Sequence, residues 1–519
     1  MAAEYQAGCQ PRSLGWCAVL LVAVLLLVVG AAPVWAKRGG AVVRVSADPY
    51  SDPGAQHRTE VEPDTFAFRS TVVGAFQVGR TFAGGASNNG WATSRDGGRT
   101  FTSGFLPGIT AVAGGPYDVA SDPSVAYDAA HRVWLISSLA HLDPIPVGAA
   151  MVVNRSPDGI HWSDPVTVAD GRPTGGLDKN WTTCDNGRSS PFFGHCYTEF
   201  DDFDRGDRIE ISTSTDGGKT WGAPRELPAG DQGAYNQLGI GGQPVVQPDG
   251  TVIVPIDDLV FSQVRSFRST DGGASWSATV SVSPISRHIV AGGLRAPPFP
   301  SAEVDRVGNV YVVWPDCRFR AGCSSNDLVL SKSTDGLKWS SPIRIPIDPV
   351  DSGSDHFIPG LAVDAHTAGD HARLALTYYS YPEAACTPAT CELTVGFISS
   401  SDGGSTWSSP THLAGPMSLD WLPNTSQGRM VGDYISTSFV HNRAVPLFAE
   451  ANPPSGGLYD EAMATVAGGL QVVGTTKRPS GSLGIQGSWR RRANPASHPK
   501  SEVSQRLSVI PLDVARATP

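Results

Sequence analysis

The sequence predicts an all-β protein built from repeated four-stranded antiparallel sheets, and three observations lead to that fold class. The 519 residues include 58 Gly, 41 Pro and 13 Trp, which describe many turns between short strands with large side chains. One short phrase recurs six times along the chain. Apolar-rich strands precede each copy and a short strand follows it, so each repeat predicts one sheet.

Net charge excludes one class of function at the outset. The chain carries 39 Lys and Arg against 49 Asp and Glu, a formal charge of −10, and only 17% of its residues are charged. A polybasic nucleic-acid binder would need the opposite balance. The apolar fraction of 40% is enough for large cores, and helical bundles and disordered polymers do not have this composition.

The first 36 residues predict export. Residues 17–36 form one apolar stretch that Lys37 and Arg38 follow, and residues 34–36 read as a small-residue cleavage tripeptide. The competing interpretation is an uncleaved N-terminal anchor, since about 20 apolar residues just span a bilayer. Under either interpretation the protein is secreted or extracytoplasmic, and in the second it is attached to the membrane through residues 17–36.

Six cysteines outside the leader form three close pairs, which predict local disulfides in an exported chain. A zinc site would need tighter Cys spacing or His companions, and these gaps are too loose. The sequence also predicts no cofactor and no metal site, because His195 and His356 are too isolated to be ligands. The pairs are Cys184 with Cys196, Cys317 with Cys323, and Cys386 with Cys391.

The recurring phrase predicts a tight turn between two strands. Its Asp can accept bonds from backbone amides across the turn, its Gly supplies a positive φ, and its final Trp or Phe plugs the hairpin against the core. Upstream of the second copy lie strands at 123–127, 133–136 and 150–153, and a Pro-bounded strand follows at 162–168. The copies span residues 94–101, 156–162, 214–221, 269–276, 333–339 and 400–407.

These phrases resemble the Asp-box, or BNR, repeat of sialidases and related β-propellers. The resemblance covers residues 41–475 at the level of repeat architecture and implies a propeller of four-stranded antiparallel blades. It also implies that the six repeat aspartates form turns on the face opposite the functional mouth. Residues 476–519 differ in composition and predict a flexible basic tail.

Blade number follows from the spacing. Successive repeat aspartates are 55 to 67 residues apart, and beyond the sixth copy further strands appear near residues 430–435, 444–449 and 458–464. A seventh unit without the phrase is therefore expected, with residues 41–46 supplying its missing outer strand and closing the last blade. Seven blades are favoured, and the six blades of typical sialidases are the alternative.

Candidate site residues lie where loops converge on the centre of such a ring, just before the first strand and just after the second strand of each blade. The resemblance implies that arginines clamp a substrate carboxylate, for which Lys is no substitute. It further implies that Tyr378 with Glu199 attacks the sugar and that Asp122 protonates the leaving group. The predicted residues are Asp122, Glu199 and Tyr378 as catalytic groups, and Arg80, Arg295, Arg318 and Arg429 as substrate-binding groups.

One departure from the family pattern bears on the first arginine. Sialidases place an aromatic-Arg-aliphatic-Pro motif ahead of their first Asp-box, and the nearest analogue here runs from Phe66 to Thr71 without that Pro. The resemblance therefore implies one of two functions. The first is a sialidase-like glycoside hydrolase acting on an extracellular glycan or glycoconjugate, and the second is a non-catalytic propeller that binds extracellular glycan or protein.

Overall fold

The computed structural model describes residues 40–142, 147–172, 175–230 and 233–474. Within them the fold is all β, and the helical segments are short 3₁₀ turns. None of these helices has the length and apolar character needed to cross a bilayer. The predicted leader or anchor at 1–36 and the predicted basic tail at 476–519 lie outside the described residues.

Strands follow one another as antiparallel neighbours, as the repeat predicts. The first strand in the chain is β1 (Val42–Arg44). Three four-stranded units follow, and we number them in chain order. Unit 1 contains β2 (Ala55–Phe68), β3 (Thr71–Thr81), β4 (Ala86–Ser94) and β5 (Thr102–Phe105). Unit 2 contains β6 (Val119–Asp128), β7 (Val133–Leu142), β8 (Val147–Ser156) and β9 (Val166–Asp170). Unit 3 contains β10 (Leu177–Cys184), β11 (Cys196–Asp202), β12 (Arg208–Ser214) and β13 (Arg225–Glu226).

Three more units repeat the same order. Unit 4 contains β14 (Val245–Val246), β15 (Val252–Asp257), β16 (Gln263–Ser269) and β17 (Val280–Pro284). Unit 5 contains β18 (Ser301–Val304), β19 (Val310–Asp316), β20 (Asp327–Ser333) and β21 (Ile343–Arg344). Unit 6 contains β22 (Asp355–Val363), β23 (Leu374–Tyr381), β24 (Glu392–Ser400) and β25 (Thr411–Ser418).

The last unit takes one strand from the other end of the described chain. A small hairpin, β26 (Asn424–Thr425) and β27 (Gly428–Arg429), leads into β28 (Ser436–Val440), β29 (Arg443–Ala451), β30 (Glu461–Val466) and β31 (Leu470–Gln471). Strand β1 pairs with β30, so unit 7 is β28, β29, β30 and β1, and β31 pairs with the start of β29. Residues 42–44 thus supply the outer strand that the sequence predicts there.

First strands of neighbouring units contact one another in order from β2 to β28, and β28 in turn contacts β2. In each unit the second strand runs antiparallel to the first and ends at the edge where the first strand begins. The second strands therefore all end at the same edge of their sheets. We call this edge the mouth edge. The opposite edge, where the third strands of units 1–6 end in the repeated phrase, is the Asp-box edge.

Asp-boxes form the turns that the sequence predicts. In the first copy Asp96 accepts hydrogen bonds from the backbone amides of Arg99 and Thr100, both at 3.0 Å, and from the Thr100 hydroxyl at 2.7 Å. The Ser94 hydroxyl bonds both Asp96 and the amide of Gly98, whose φ is 80°. Every acceptor of the carboxylate is therefore engaged in holding the turn.

All three predicted disulfides are present: Cys184–Cys196, Cys317–Cys323 and Cys386–Cys391. The first joins the end of β10 to the start of β11 at the Asp-box edge. The other two lie in loops that join second to third strands, at the mouth edge. Buried aromatic and aliphatic side chains fill the space between units, for example Tyr197, Phe267 and Trp276 between units 3 and 4.

Candidate functional site

Bulges near the start of several first strands deliver charged side chains to the mouth edge. The strand register shifts between Val61 and Asp64, and corresponding shifts occur in β6 and β10. The residues at these shifts, Glu62, Asp122 and Lys179, have positive φ angles of 56°, 45° and 22°. Such conformations are strained for residues other than Gly, and β-bulges re-aim side chains next to functional sites.

Seven side chains meet at this edge, and we call them the mouth cluster. Arg295 donates to Asp433 from Nε at 2.7 Å and from Nη2, a bidentate pair. The backbone amide of Asp433 donates to Glu62 at 3.3 Å, and Arg80 has Glu62, Asp433 and Asp122 as charged neighbours. The members are Glu62, Arg80, Asp122, Lys179, Arg295, Asp433 and Tyr434.

Lys179 and Tyr434 form the side of the mouth cluster that is bounded by aromatic rings. The Lys179 ammonium lies 4.0 Å from the centre of the Tyr434 ring and 3.7 Å from Asp122. Trp181 stands edge-on to Tyr434 at 5.2 Å, and the Tyr434 hydroxyl donates to the carbonyl of Pro123 at 3.2 Å. A buried ammonium held by one carboxylate and two rings keeps hydrogen-bonding capacity for a ligand.

Burial and like charge shift the protonation of the mouth cluster. Glu62 is 1% exposed, and burial together with Asp122 and Asp433 raises its pKa to about 8. Burial also lowers the pKa of Arg80 to about 10, helped by Arg295. Burial works against the charge of Arg295, but Asp433 outweighs it and the pKa of Arg295 is raised. At neutral pH, Glu62 therefore holds a proton beside arginines that stay charged.

A short hydrogen-bonded chain fixes Asp122. The Ser121 hydroxyl donates to Asp122 Oδ2 at 2.8 Å and lies 2.7 Å from Nε2 of His141, near the end of β7. Ser121, Asp122 and His141 are all buried. One carboxylate oxygen is thus held by Ser121, and Oδ1 is the oxygen nearest Lys179.

Of the seven residues predicted for the site, Arg80, Arg295 and Asp122 come together in the mouth cluster. Arg429 lies beside them through its backbone, whose carbonyl accepts the amide of Arg295 at 2.7 Å, while its side chain donates to Leu422. Arg318 is engaged in unit 5, where its Nε donates to Asp316 at 2.8 Å. The structure therefore assembles two of the four predicted arginines by their side chains.

Tyr378 and Glu199 lie apart, in units 6 and 3. Tyr378 is buried among aliphatic side chains and stands edge-on to the ring of His356 at 5.6 Å, and burial raises the pKa of its phenol. Glu199 is fully buried with Lys179 as its charged neighbour, and burial raises its pKa to about 8. Among the described contacts none joins the two side chains, so the predicted nucleophile pair is not assembled.

Four members of the mouth cluster are absent from the sequence-predicted set: Glu62, Lys179, Asp433 and Tyr434. A signal for the first exists, because Glu62 precedes Pro63 near the start of a first strand just as Asp122 precedes Pro123. For Asp433 and Tyr434 the signal is Gly432, whose φ of 138° shows the same kind of irregularity. Irregular positions at the starts of first strands are the pattern to look for.

Within the described residues, one group outside the mouth cluster has the geometry of metal ligands, and the mouth cluster itself does not. Asp327, Asp348 and His356 offer atoms within 4.8 Å of one another. Both carboxylates, however, are already bound by guanidinium groups. Arg320 contacts Asp327 at 2.5 Å and Asp348 at 2.7 Å, and Arg344 contacts the same two residues. This is a buried ion-pair network between units 5 and 6, because the positive charge that a cation would bring is already present.

Comparison with known proteins supports the class that the repeats indicate. Residues 149–380, from β8 to β23, match the family model described as a BNR repeat-like domain. This part of the chain therefore matches a BNR repeat-like domain, in agreement with its Asp-boxes. No curated protein matches the chain.

Several solved structures are similar to the chain. A protein of unknown function from Dyadobacter fermentans has 15% identity over 82% of this chain and 98% of its own, with a TM-score of 0.41. The phage phi92 endosialidase has 11% identity over 87% and 72%, with a TM-score of 0.49. The NanB sialidase from Streptococcus pneumoniae has 12% identity over 81% and 69%, with a TM-score of 0.39.

Proposed function

We propose that the seven four-stranded units are the blades of one closed β-propeller, seven rather than six. Support comes from the contacts between successive first strands, which run from β2 through β28 and back to β2. The pairing of β1 with β30 supports it further, because that pairing leaves β30 with no free edge. The mouth cluster then lies at one end of the hub, where ligands of such folds bind.

We further propose that the chain is an extracytoplasmic, glycan-directed exo-glycosidase of the sialidase-like kind. A single observation carries this proposal: the side chains of Arg80 and Arg295 meet three carboxyl groups and one phenol at the mouth edge. Paired arginines suit the carboxylate of an acidic sugar. The three disulfides support a location outside the cytoplasm, and export through residues 1–36 is part of the proposal.

The proposed roles follow from position. Arg80 and Arg295 bind the sugar carboxylate, with Arg295 exchanging part of its contact with Asp433 for the ligand. Asp122, held by Ser121, gives its proton to the leaving-group oxygen. Tyr434 takes the place that the sequence assigns to Tyr378, because Glu62 and Asp122 are its charged neighbours.

In the first half of the reaction the Tyr434 oxygen bonds to the anomeric carbon as the glycosidic bond breaks, and Glu62 accepts the phenol proton. A neutral phenol approaches an anionic sugar without the repulsion that a carboxylate would meet. Water then releases the sugar in the second half, with Asp122 as base and Tyr434 recovering its proton. Glu62 must lose its own proton beforehand, and its pKa of about 8 makes this step dependent on pH.

A fluorogenic sialoside and a panel of other aryl glycosides test the proposal directly. Release of the fluorophore by the purified protein, lost in Arg295→Gln, is the expected result. The Arg318→Gln variant is the matched control, because Arg318 is an ion-paired arginine at the same edge but outside the mouth cluster. Hydrolysis that persists unchanged in Arg295→Gln would show that the catalytic site lies elsewhere.

A specific observation favours a second function, binding without hydrolysis. Arg295 is already bidentate with Asp433, and the phenol of Tyr434 donates to a backbone carbonyl and makes no recorded bond to a carboxylate among the described residues. A binding propeller would give no turnover on the whole panel. It would still bind an acidic sugar by calorimetry, with loss of binding in Arg295→Gln.

A further inference from the structure

A cavity of about 1120 Å³ lies on the far side of the hub from the mouth cluster. Residues from all seven units line it, including the ends of the first strands at the Asp-box edge. Its volume slightly exceeds the usual range for small-molecule sites, which is roughly 300–1,000 Å³. The proposed glycosidase reaction makes no use of this space.

Three arginines stand around the opening of the cavity at the Asp-box edge. Arg69, Arg188 and Arg306 come from units 1, 3 and 5, all are exposed, and all line the cavity. In the described part of the chain none of the three forms an ion pair with a carboxylate, whereas the mouth cluster and unit 5 hold paired arginines. Their guanidinium groups therefore remain able to bind an anion bidentately.

Two carboxylates near the opening are committed to the protein itself. Asp305 accepts the amides of Val307, Asn309 and Gly369. Asp364 accepts the amide of His366 and lies 3.5 Å from Arg373. Loop amides hold both oxygens of Asp305 and one oxygen of Asp364, and Arg373 lies beside the other, so the two carboxylates compete weakly for the three unpaired arginines.

The interior of the cavity carries polar groups among its apolar side chains. Glu303 on β18 lines it, and burial with Asp64 nearby raises the pKa of Glu303 to about 8. A protonated Glu303 is a hydrogen-bond donor, while Asp64 accepts the amide of Val125 at 2.7 Å. Hydroxyl groups of Ser and Thr, such as Thr182 and Ser436, also line the wall.

Trp181 closes the cavity on the side of the mouth cluster. Its ring lines the cavity, lies 5.0 Å from the Lys179 ammonium and stands edge-on to Tyr434. An aromatic ring among hydroxyls and a carboxylic acid suits the faces and hydroxyls of a sugar. The cations at the opening require that the same molecule carry negative charge.

We propose that this cavity is a second ligand site, which takes a short acidic saccharide from the Asp-box face. Its anionic groups pair with Arg69, Arg188 and Arg306, and its hydroxyl groups enter the cavity toward Glu303 and Trp181. The site is separate from the proposed catalytic one and serves to hold a glycan on the face opposite the mouth cluster.

Calorimetric titration of the full chain with three tetrasaccharides tests this inference. Tetragalacturonate carries carboxylates, a heparin-derived tetrasaccharide carries sulfates, and maltotetraose is neutral. We expect one or both acidic probes to bind at least tenfold more tightly than maltotetraose, and the preferred one identifies the anionic group. Equal binding of maltotetraose, or no binding of either acidic probe, would overturn the proposal.

Two variants locate the binding. The triple variant Arg69→Gln, Arg188→Gln and Arg306→Gln should weaken acidic-probe binding at least tenfold. Its matched control, Arg58→Gln, Arg99→Gln and Arg225→Gln, removes three exposed arginines that do not line the cavity and should change binding less than twofold. Ala365→Trp, at an exposed position of the lining, should also weaken binding tenfold by narrowing the opening. Unchanged binding in the variant that replaces Arg69, Arg188 and Arg306, or in Ala365→Trp, would refute binding of the saccharide in the cavity.

Discussion

Carboxyl groups at the two edges of the sheets have pKa values that are shifted in opposite directions. At the Asp-box edge Asp216 is partly exposed and accepts three bonds from Lys219 and Thr220, so its pKa falls to about 2 although slight burial acts to raise it. At the mouth edge Glu62 is buried among other carboxyls and its pKa rises to about 8. Local amides fix the charge of one, and distant units set the charge of the other.

This contrast distinguishes carboxyl groups that stabilise turns from those that are candidates for a functional site. An Asp-box satisfies its carboxylate within one turn, so its structure depends on a few neighbouring residues. The mouth cluster draws Glu62, Asp122, Lys179 and Asp433 from different units, so each charge depends on the whole assembly. A carboxyl whose pKa is raised by burial and by charges from several units, as at Glu62, indicates a candidate functional site, whereas a locally satisfied one indicates structure.

Removal of the Arg295 guanidinium should have the largest effect. Because Arg295 is proposed to bind the sugar carboxylate, Arg295→Gln should lower kcat/KM by about 10²–10³-fold, the usual loss for one charge-stabilising donor. Arg318→Gln should stay within about twofold, since Arg318 lies outside the mouth cluster and its buried partner Asp316 keeps the hydrogen bonds from Ser286 and Trp314. Comparable losses in both variants would mean that the mouth cluster has no special role. Circular dichroism of each variant shows whether the fold is retained.

Protonation of Glu62 should set the lower limit of the active pH range. If Glu62 accepts the phenol proton, kcat/KM rises as pH rises through about 8, and Glu62→Gln removes that rise with a loss of about 10²-fold. Glu303→Gln is the control, because Glu303 has a similarly raised pKa but lines the cavity at the other edge. A wild-type profile that is flat between pH 6 and about 9 would remove Glu62 from the proposed role.

Loss of the disulfide at the Asp-box edge should reduce stability without changing chemistry. Cys184–Cys196 closes a loop with a sequence separation of 12, so Cys184→Ser with Cys196→Ser should lower the free energy of unfolding by about 2–4 kcal/mol. The shorter Cys386–Cys391 loop, with a separation of 5, should cost somewhat less. Urea unfolding measures both. A fall in kcat/KM in the Cys184→Ser, Cys196→Ser variant under conditions where it is fully folded would contradict a purely structural role for the Asp-box edge.

Removal of a single Asp-box carboxylate should have the smallest effect. Asp216→Ala loses four hydrogen bonds in a partly exposed turn and should cost about 1 kcal/mol, with no change in glycan binding. Because the folded-state pKa is lowered, the stabilisation that Asp216 provides is present above pH 4 and is lost as pH falls toward about 2. Thermal melts of wild type and variant at pH 7 and pH 2.5 should therefore differ more at pH 7.

Carboxyl groups with a raised pKa contribute to stability with the opposite pH dependence. Glu303 binds its proton more tightly in the folded state, so its contribution to stability is present below pH 4.5 and is lost as pH rises through about 8. Glu303→Gln should therefore raise the melting temperature at pH 9 relative to wild type and change it little at pH 5. A melting temperature that falls at pH 9 would show that the ionised form is the one the fold favours.

The sequence predicts the strand order, the Asp-box turns and the three disulfides because each depends on contacts within one repeat. The mouth cluster is only partly predicted: Arg80, Arg295 and Asp122 are the predicted residues that the structure brings to it. Tyr378 illustrates the limit: a strand with period-2 alternation does not tell which neighbouring unit a side chain faces, and it faces the core beside His356. A bulge reverses that alternation, and because Glu62 lies in a bulge, the sequence pattern does not show which way its side chain points.

The β1 strand has a consequence for how the molecule is made. Arg44 and Asp460, which form an ion pair at 2.5 Å, are 416 positions apart in the chain. The segment that leaves the ribosome early can therefore find its partner only after nearly all of the described chain has been synthesised. Contacts of such long range slow folding, and the last unit stays open throughout biosynthesis. Unit 7 can therefore be completed only when β1 and β30 are both available to each other.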